Sequence, residues 1–255
     1  MKKSIIKKLF IKLSKVLGYE IIDQSNFSSP TLQKELNNDL SIINEKSIIL
    51  PLGEVKINKK VNSVLILFRT NTDIEIWDQN KKRLFEEPKI EYSLRALKSL
   101  IRSINFSKTK YPNIKFKTII IDDKSKDENL NKLKQLLDGS GLDMSITNLN
   151  HGKYKDTIKQ QKNDQTFSNL ASLLQSFELG KEHGENLIFF VEDDYLHFEP
   201  MMEEMIASYE RIASQVNKEI FMCPADYPYL YMNNEKTNIL IGNKRHWRTI
   251  NQTLC

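Results

Sequence analysis

Apolar residues in this chain form short β-rich runs that alternate with stretches of helical periodicity. Four such runs predict strands, at 61–68, 116–121, 142–149 and 187–191. After each run, apolar residues recur every three or four positions, which predicts a helix. The predicted helices begin at residue 91, cover 126–137 and 165–179, and begin again at Pro200, with Gly180 as the stop signal of the third.

This alternation is typical of an α/β fold with a mostly parallel central sheet and helices on both faces. The five consecutive apolar residues of 187–191 predict a strand that is buried on both faces. A Rossmann dinucleotide site is not supported, because Arg69-Thr70-Asn71-Thr72 follows the first strand instead of a glycine-rich turn. Serine hydrolase chemistry is not supported either, because no serine lies in a nucleophile-elbow sequence.

A basic amphipathic helix is predicted over residues 1–20. Residues 2–15 contain six lysines and no acid. The apolar residues that share one helical face are Ile6, Leu9, Phe10, Leu13, Val16 and Leu17. This pattern is typical of a helix that lies in an anionic membrane interface, and it predicts a protein peripheral to the inner face of the cell membrane. The alternative is a helix that docks its apolar face on the folded domain and leaves its lysines in solvent.

Composition narrows the class of protein. The 255 residues are 40% hydrophobic, enough for a sizeable core, and the net charge is +5. The positive excess is concentrated at the start, so no nucleic-acid partner is indicated. Two cysteines in no metal-ligand spacing suggest a reducing, cytoplasmic compartment. Residues 21–58 are predicted to form a linker or an irregular cap, and residues 59–255 are predicted to form the main domain.

Polar residues follow three of the predicted strands. In chain order they are Arg69 and Thr70, then Asp122 and Asp123, then the triplet Glu192, Asp193 and Asp194. Because the carboxyl ends of parallel strands lie at one edge of a sheet, where open α/β sheets bind ligands, we expect these residues to form a site. Neighbouring carboxylates repel one another unless a cation is present, and oxygen ligands suit Mn²⁺ or Mg²⁺.

Two of these segments resemble motifs of GT-A fold glycosyltransferases. Residues 119–127 read Ile-Ile-Ile-Asp-Asp-Lys-Ser-Lys-Asp. They are similar to the family 2 pattern of an apolar strand, two aspartates, any residue, serine, any residue and aspartate. Residues 191–194, Val-Glu-Asp-Asp, resemble the Glu-Asp-Asp form of the Asp-X-Asp metal motif, as in N-acetylglucosaminyltransferase I. The order and separation of the two motifs also match, and the resemblance covers about residues 60–225.

The resemblance implies a GT-A fold and a metal-dependent, inverting hexosyltransferase-like activity. The donor would be a nucleotide-diphosphate sugar, with a UDP-sugar favoured, and the acceptor a glycan or lipid-linked glycan in surface polysaccharide synthesis. Asp123, with Asp122 beside it, would accept hydrogen bonds from the base. Asp194 would ligate Mn²⁺ or Mg²⁺, with Asp193 at the metal, a metal-bound water or the ribose. Arg69 and Thr70 would border the nucleoside, although an ordinary surface ion pair is the alternative for Arg69.

An inverting transferase also needs a carboxylate that deprotonates the acceptor hydroxyl. After residue 220 the only acids are Asp226 and Glu235, and we take Asp226 as the candidate base. The alternative is a shortened C-terminus, with the base beyond Cys255. A second departure from the family is Ser168-Asn169, where many family 2 members carry Arg-Asn.

The segment His246-Trp247-Arg248 allows two interpretations. Its tryptophan could pack on a sugar ring, or it could cover the edge of a sheet.

Two other functions stay open. A GT-A-like module without a base would bind a nucleotide sugar or a glycan without transferring it. An unrelated α/β protein could use acidic strand ends to bind Mg²⁺ for phosphoryl chemistry. Titration with nucleotide sugars separates the latter from the others, and product formation separates the enzyme from the binding module.

Overall fold

The computed structural model describes residues 5–17, 49–50, 56–73, 87–158, 164–225 and 239–250. In these ranges the helices are α1 (Ile5–Val16), α2 (Lys89–Lys110), α3 (Asp127–Asp138), α4 (His151–Tyr154), α5 (Asp164–His183) and α6 (Met201–Val216). The strands are β1 (Ile49–Leu50), β2 (Ser63–Thr70), β3 (Lys115–Asp122), β4 (Asp143–Asn148), β5 (Leu187–Glu192), β6 (Ile239–Ile241) and β7 (His246–Arg248). The chain divides into two compact units, Asn58–Glu210 and the combination of Met1–Ile57 with Arg211–Cys255.

The unit Asn58–Glu210 contains a four-stranded, wholly parallel sheet in the order β4-β3-β2-β5. Helices connect its strands, so the predicted α/β class with a parallel central sheet is confirmed. Each predicted strand and helix of this unit is present, with predicted ends within two residues of the observed ones, except at the C-terminus of α5. The first strand of this unit, β2, is central, and the chain crosses back over it to place β5 on its other side.

The core of this unit is built around β2. Leu65 and Leu67 lie on one face of the sheet and pack with Ile119 of β3 and Leu179 of α5. The residues that alternate with them point to the opposite face and are also buried: Val64, Ile66 and Phe68. Both faces of β2 are therefore covered, which is typical of a central parallel strand.

The strand predicted to be buried on both faces, β5, instead lies at the edge of this sheet among the strands that the structure describes. Phe189 and Val191 are buried, but Ile188 and Phe190 are 38% and 40% exposed. That part of the prediction was wrong. Branched and aromatic residues favour any pleated, half-buried surface, so an apolar run of this length does not separate a central strand from an edge strand.

Gly180 was also misinterpreted as a helix stop, because α5 continues to His183. Gly180 is buried inside the helix, where an added Cβ would lie 3.4 Å from Ile188 Cδ1 and 3.5 Å from Leu67 Cδ1. These are ordinary van der Waals distances, so the position faces β2 and β5 and still has room for a methyl group. Gly180 therefore lies inside the helix and does not terminate it.

The second unit contains a small sheet in the order β1-β6-β7, in which β6 pairs parallel with β1 and antiparallel with β7. Leu240 of β6 is buried with Ile212, and Trp247 packs against this pair. Helix α1 lies within the predicted 1–20. Most of the predicted 21–58 segment, together with Asp226, Glu235 and Cys255, lies outside the described residues. Among the described helices, none has the length and apolar character needed to cross a membrane.

Candidate functional site

The carboxyl ends of β2, β3 and β5 lie side by side and bring the predicted polar residues together. In the strand register, Thr70 is paired with Asp122 and Arg69 with Glu192. The sheet therefore gathers side chains from three strand ends at one edge. The sequence predicted this convergence from strand ends alone, but it gave no information on which side chains contact each other.

Asp193 is the most heavily hydrogen-bonded member of the acidic triplet. Its Oδ2 accepts from Thr70 Oγ1 at 2.7 Å and from Ser93 Oγ at 2.6 Å. Its Oδ1 accepts from Lys89 Nζ at 2.7 Å. The residue is 6% exposed. Asp193 is thus held as a buried ion-pair partner between β2 and α2, and it is not presented to solvent as a free ligand.

Glu192 is paired with Arg69, whose Nη2 donates to Glu192 Oε1. Arg69 Nη1 also donates to Asn169 Oδ1 at 2.9 Å and to Ser172 Oγ at 3.1 Å. The Arg69 side chain is 14% exposed and that of Glu192 is 44% exposed, so the ion pair is partly buried. It ties β2 to β5 and α5, and Asn169 of the Ser168-Asn169 pair is one of its anchors.

Asp194 differs from its two neighbours because it is exposed in the turn that follows β5. Among the described residues, no side chain donates a hydrogen bond to its carboxylate. Desolvation at the sheet edge raises the pKa of Asp194 above its ordinary value, although Lys89 opposes the rise. Asp193 adds to the rise, and Arg69 opposes it more weakly. Both cations are therefore within electrostatic reach of this carboxylate.

The acidic triplet is consequently not a cluster of three uncompensated charges. Arg69 balances Glu192 and Lys89 balances Asp193, so three negative and two positive charges leave a formal charge of −1. The sequence argument that these acids need a bound cation holds only for Asp194. The chain itself supplies the other two positive charges.

A divalent cation at this edge would have Asp194 as its protein ligand. Within the described ranges, no group of three or more His, Cys, Asp or Glu residues could hold a metal ion. Mg²⁺ commonly uses one or two carboxylates and completes its shell with waters and substrate phosphates. Asp194 therefore fits a cation that arrives with a diphosphate.

Asp123 lies in a second group of residues, at the end of β3. Its Oδ1 is 2.6 Å from His151 Nε2, and its Oδ2 accepts from Asn71 Nδ2 at 3.2 Å. The His151 ring stacks on Phe167, with 5.9 Å between ring centroids. Sequence reasoning missed His151 and Asn71. Asn71 directly follows β2, and His151 is the first residue of α4, three residues after the end of β4. A position close to a strand end at this edge was a usable signal.

Asp122 is buried and shapes the turn after β3. Its Oδ2 accepts from the backbone N–H of Ser125 at 3.0 Å, and Ser125 Oγ accepts from the N–H of Thr72 at 3.0 Å. Burial raises the pKa of Asp122, an effect that the hydrogen bonds from Ser125 oppose. Asp122 thus joins the loops after β2 and β3, and Asp123 is the member of the pair with a partly exposed neighbour, His151.

Comparison with known proteins adds little. No protein-family model matches the sequence, and no curated protein matches it. The structure is similar to the crystal structure of S. aureus TarS 1-349, with 15% identity and a TM-score of 0.31. The match covers 58% of this chain and 32% of that chain, so this chain spans about a third of the structure it matches. A likeness at this TM-score assigns neither a family nor an activity.

Proposed function

We propose that this protein is a GT-A fold glycosyltransferase. In this proposal it moves a sugar from a nucleotide-diphosphate donor, with a UDP-sugar favoured, to a glycan or lipid-linked acceptor in surface polysaccharide synthesis. The observation that carries the proposal is that two groups of residues lie at one sheet edge: Asp123 with His151 and Asn71, and Asp194, which follows Glu192, the ion-pair partner of Arg69, by two residues. The first suits a nucleobase, and the second suits a diphosphate.

The nucleoside end of the donor binds at Asp123. A buried carboxylate that is already oriented by His151 and Asn71 is a preorganised acceptor for a base N–H. The order β3-β2-β5 separates this group from Asp194 by two strand spacings, about 10 Å. That separation leaves room for a nucleoside whose diphosphate reaches Asp194.

The diphosphate end lies at Asp194 and Arg69. When bound, Mn²⁺ or Mg²⁺ neutralises the developing charge of the leaving diphosphate. Arg69 is fixed by Glu192, Asn169 and Ser172, so its position is set before the donor arrives. Asp226 remains our candidate base for deprotonating the acceptor hydroxyl in an inverting transfer.

The test is calorimetric titration with UDP-, GDP- and CMP-sugars, with Mn²⁺ and with EDTA, followed by a radiolabelled-donor assay with acceptor extracts. We expect one donor class to bind and a labelled product to form, with the product lost in Asp226→Asn. Donor binding without product, under all acceptor conditions, would support the binding-module alternative. The absence of binding to any nucleotide sugar would contradict the proposal.

We also propose that α1 holds the protein at an anionic membrane surface. The side chains of Leu9, Phe10, Leu13, Val16 and Leu17 are between 57% and 78% exposed. Ser14, in contrast, is buried. An apolar face open to solvent, with lysines on the other side of the helix, supports insertion into a lipid interface more than docking on the chain's own surface.

A further inference from the structure

Lys89, which the sequence motifs do not include, is a mostly buried cation beside the site. Its side chain is 12% exposed, and its Nζ lies 2.7 Å from Asp193 Oδ1. An ammonium group has three N–H donors, and among the described residues Asp193 is its only hydrogen-bond partner. Two of its donors have no partner within the described part of the chain, and these can bind water or a ligand. Asp193 is adjacent in the chain to Asp194, so Lys89 lies beside the place where a diphosphate would bind in the proposed function.

Asp193 does not depend on Lys89 for all of its hydrogen bonds. Its Oδ2 accepts from both Thr70 and Ser93, and these bonds do not involve Lys89. If the ammonium turned toward an incoming phosphate, Asp193 would remain anchored by two hydroxyl groups. A lysine stem is flexible enough for such a change of partner, whereas Arg69 is held by three side chains.

We propose that Lys89 is a built-in counter-charge for the diphosphate of the donor, shared between Asp193 and the phosphates. The proposal rests on the proposed function and extends it. Without Lys89, the three acids and Arg69 would carry a formal charge of −2 and would repel a diphosphate unless a divalent cation came with it. With Lys89, the diphosphate binds the metal-free protein at reduced affinity, and the cation strengthens binding that already exists.

The test measures binding of UDP and of inorganic pyrophosphate by calorimetry in EDTA, and binding of UDP in Mn²⁺. The variants are Lys89→Met, Lys89→Arg and, as a matched control, Lys98→Met, which removes an exposed lysine from the same helix. In EDTA, we expect Lys89→Met to weaken the binding of both UDP and pyrophosphate by about 10- to 100-fold. This is the range for one hydrogen bond to a charged group. In Mn²⁺ the loss should be smaller, and Lys89→Arg should retain most of the affinity.

Equal binding by Lys89→Met and Lys98→Met in EDTA would overturn the inference, as would parent protein that binds UDP in Mn²⁺ but not at all in EDTA. Failure of the parent to bind any nucleotide in Mn²⁺ would instead overturn the proposed function. The double variant Lys89→Met, Asp193→Asn removes both buried charges, so it provides a folded protein without Lys89 if Lys89→Met alone is unstable. Loss of pyrophosphate binding in this variant as well would support the role of Lys89.

Discussion

Thr70, the last residue of β2, donates a 2.7 Å hydrogen bond to Asp193, the first residue after β5. This bond ties the acidic triplet to the central strand of the sheet. It also distinguishes two adjacent aspartates, because the Asp193 carboxylate is hydrogen-bonded within the chain whereas Asp194 is exposed. The two adjacent acids therefore have different surroundings, and in our proposal only Asp194 contacts the ligand.

The first prediction compares these two aspartates. Asp193→Asn leaves Lys89 buried without a negative partner, so we expect a loss of about 3 kcal/mol in the free energy of unfolding. Asp194→Asn should change stability by less than about 0.5 kcal/mol, because the side chain is exposed. It should abolish the Mn²⁺-dependent part of UDP binding. Urea unfolding and calorimetry measure the two effects, and similar stabilities of the two variants would contradict the separation of roles.

The second prediction concerns the nucleoside group. His151→Ala removes the partner of Asp123 Oδ1 and the stacking contact with Phe167. We expect UDP binding to weaken by about tenfold, with pyrophosphate binding unchanged, because the loss is confined to one orienting hydrogen bond. Asp123→Ala should have the same selectivity with a larger effect. An equal loss for UDP and pyrophosphate, measured in the same titrations, would show that this group does not contact the base.

The third prediction is a pH dependence. Burial lowers the pKa of His197 from 6.5 to about 4, so the folded protein keeps this histidine neutral. As the pH falls below 6.5 the unfolded chain binds the proton first, and stability is lost between about pH 6.5 and 4. We expect this residue to contribute on the order of 3 kcal/mol to that loss. His197→Phe keeps a ring against Phe189, and its unfolding free energy should fall less over this range. If the unfolding free energies of parent and variant fell equally over this pH range, the effect could not be assigned to His197.

The fourth prediction uses two glycines near the C-terminus of α5. A Cβ on Gly184 would lie 2.5 Å from the carbonyl oxygen of Gly180 and 2.6 Å from Ile188 Cδ1. Gly184→Ala should therefore destabilise the protein by about 1–3 kcal/mol, the usual cost of overpacking. Gly180→Ala meets its neighbours only at 3.4 Å or more and gains helix propensity, so we expect little net change. Melting temperatures of the two variants provide the comparison. A larger fall in melting temperature for Gly180→Ala than for Gly184→Ala would contradict the prediction.

The fifth prediction tests α1 at the membrane. Leu13→Glu places a charge on its exposed apolar face and should abolish flotation with vesicles containing anionic phosphatidylglycerol. Lys12→Gln should weaken flotation by a smaller amount, because each lysine contributes about 1 kcal/mol at an anionic surface. Neither change should lower the melting temperature. A large fall in stability for Leu13→Glu would favour the alternative in which the apolar face docks on the domain.

Local pattern determined much of this fold. The strands and helices of the main unit follow from apolar runs and periodicity, because secondary structure depends mainly on neighbours within one or two turns. The gathering of Thr70, Asp123 and Asp193 at one edge also followed from the sequence, since parallel strands all end on the same side. In each case the physical cause acts over a short stretch of chain or is a general rule of the sheet.

The tertiary structure alone decided where each strand lies and which charges pair. Leu187–Glu192 has the composition of a central strand, yet strand order places it at the edge. Lys89 lies 104 residues from Asp193, and Arg69 lies 123 residues from Glu192. No periodicity or spacing marks such pairs, because their proximity depends on how the whole sheet is ordered. The sequence therefore determined that acids meet at this edge, and only the fold determined that two of the three acids are neutralised by the chain itself.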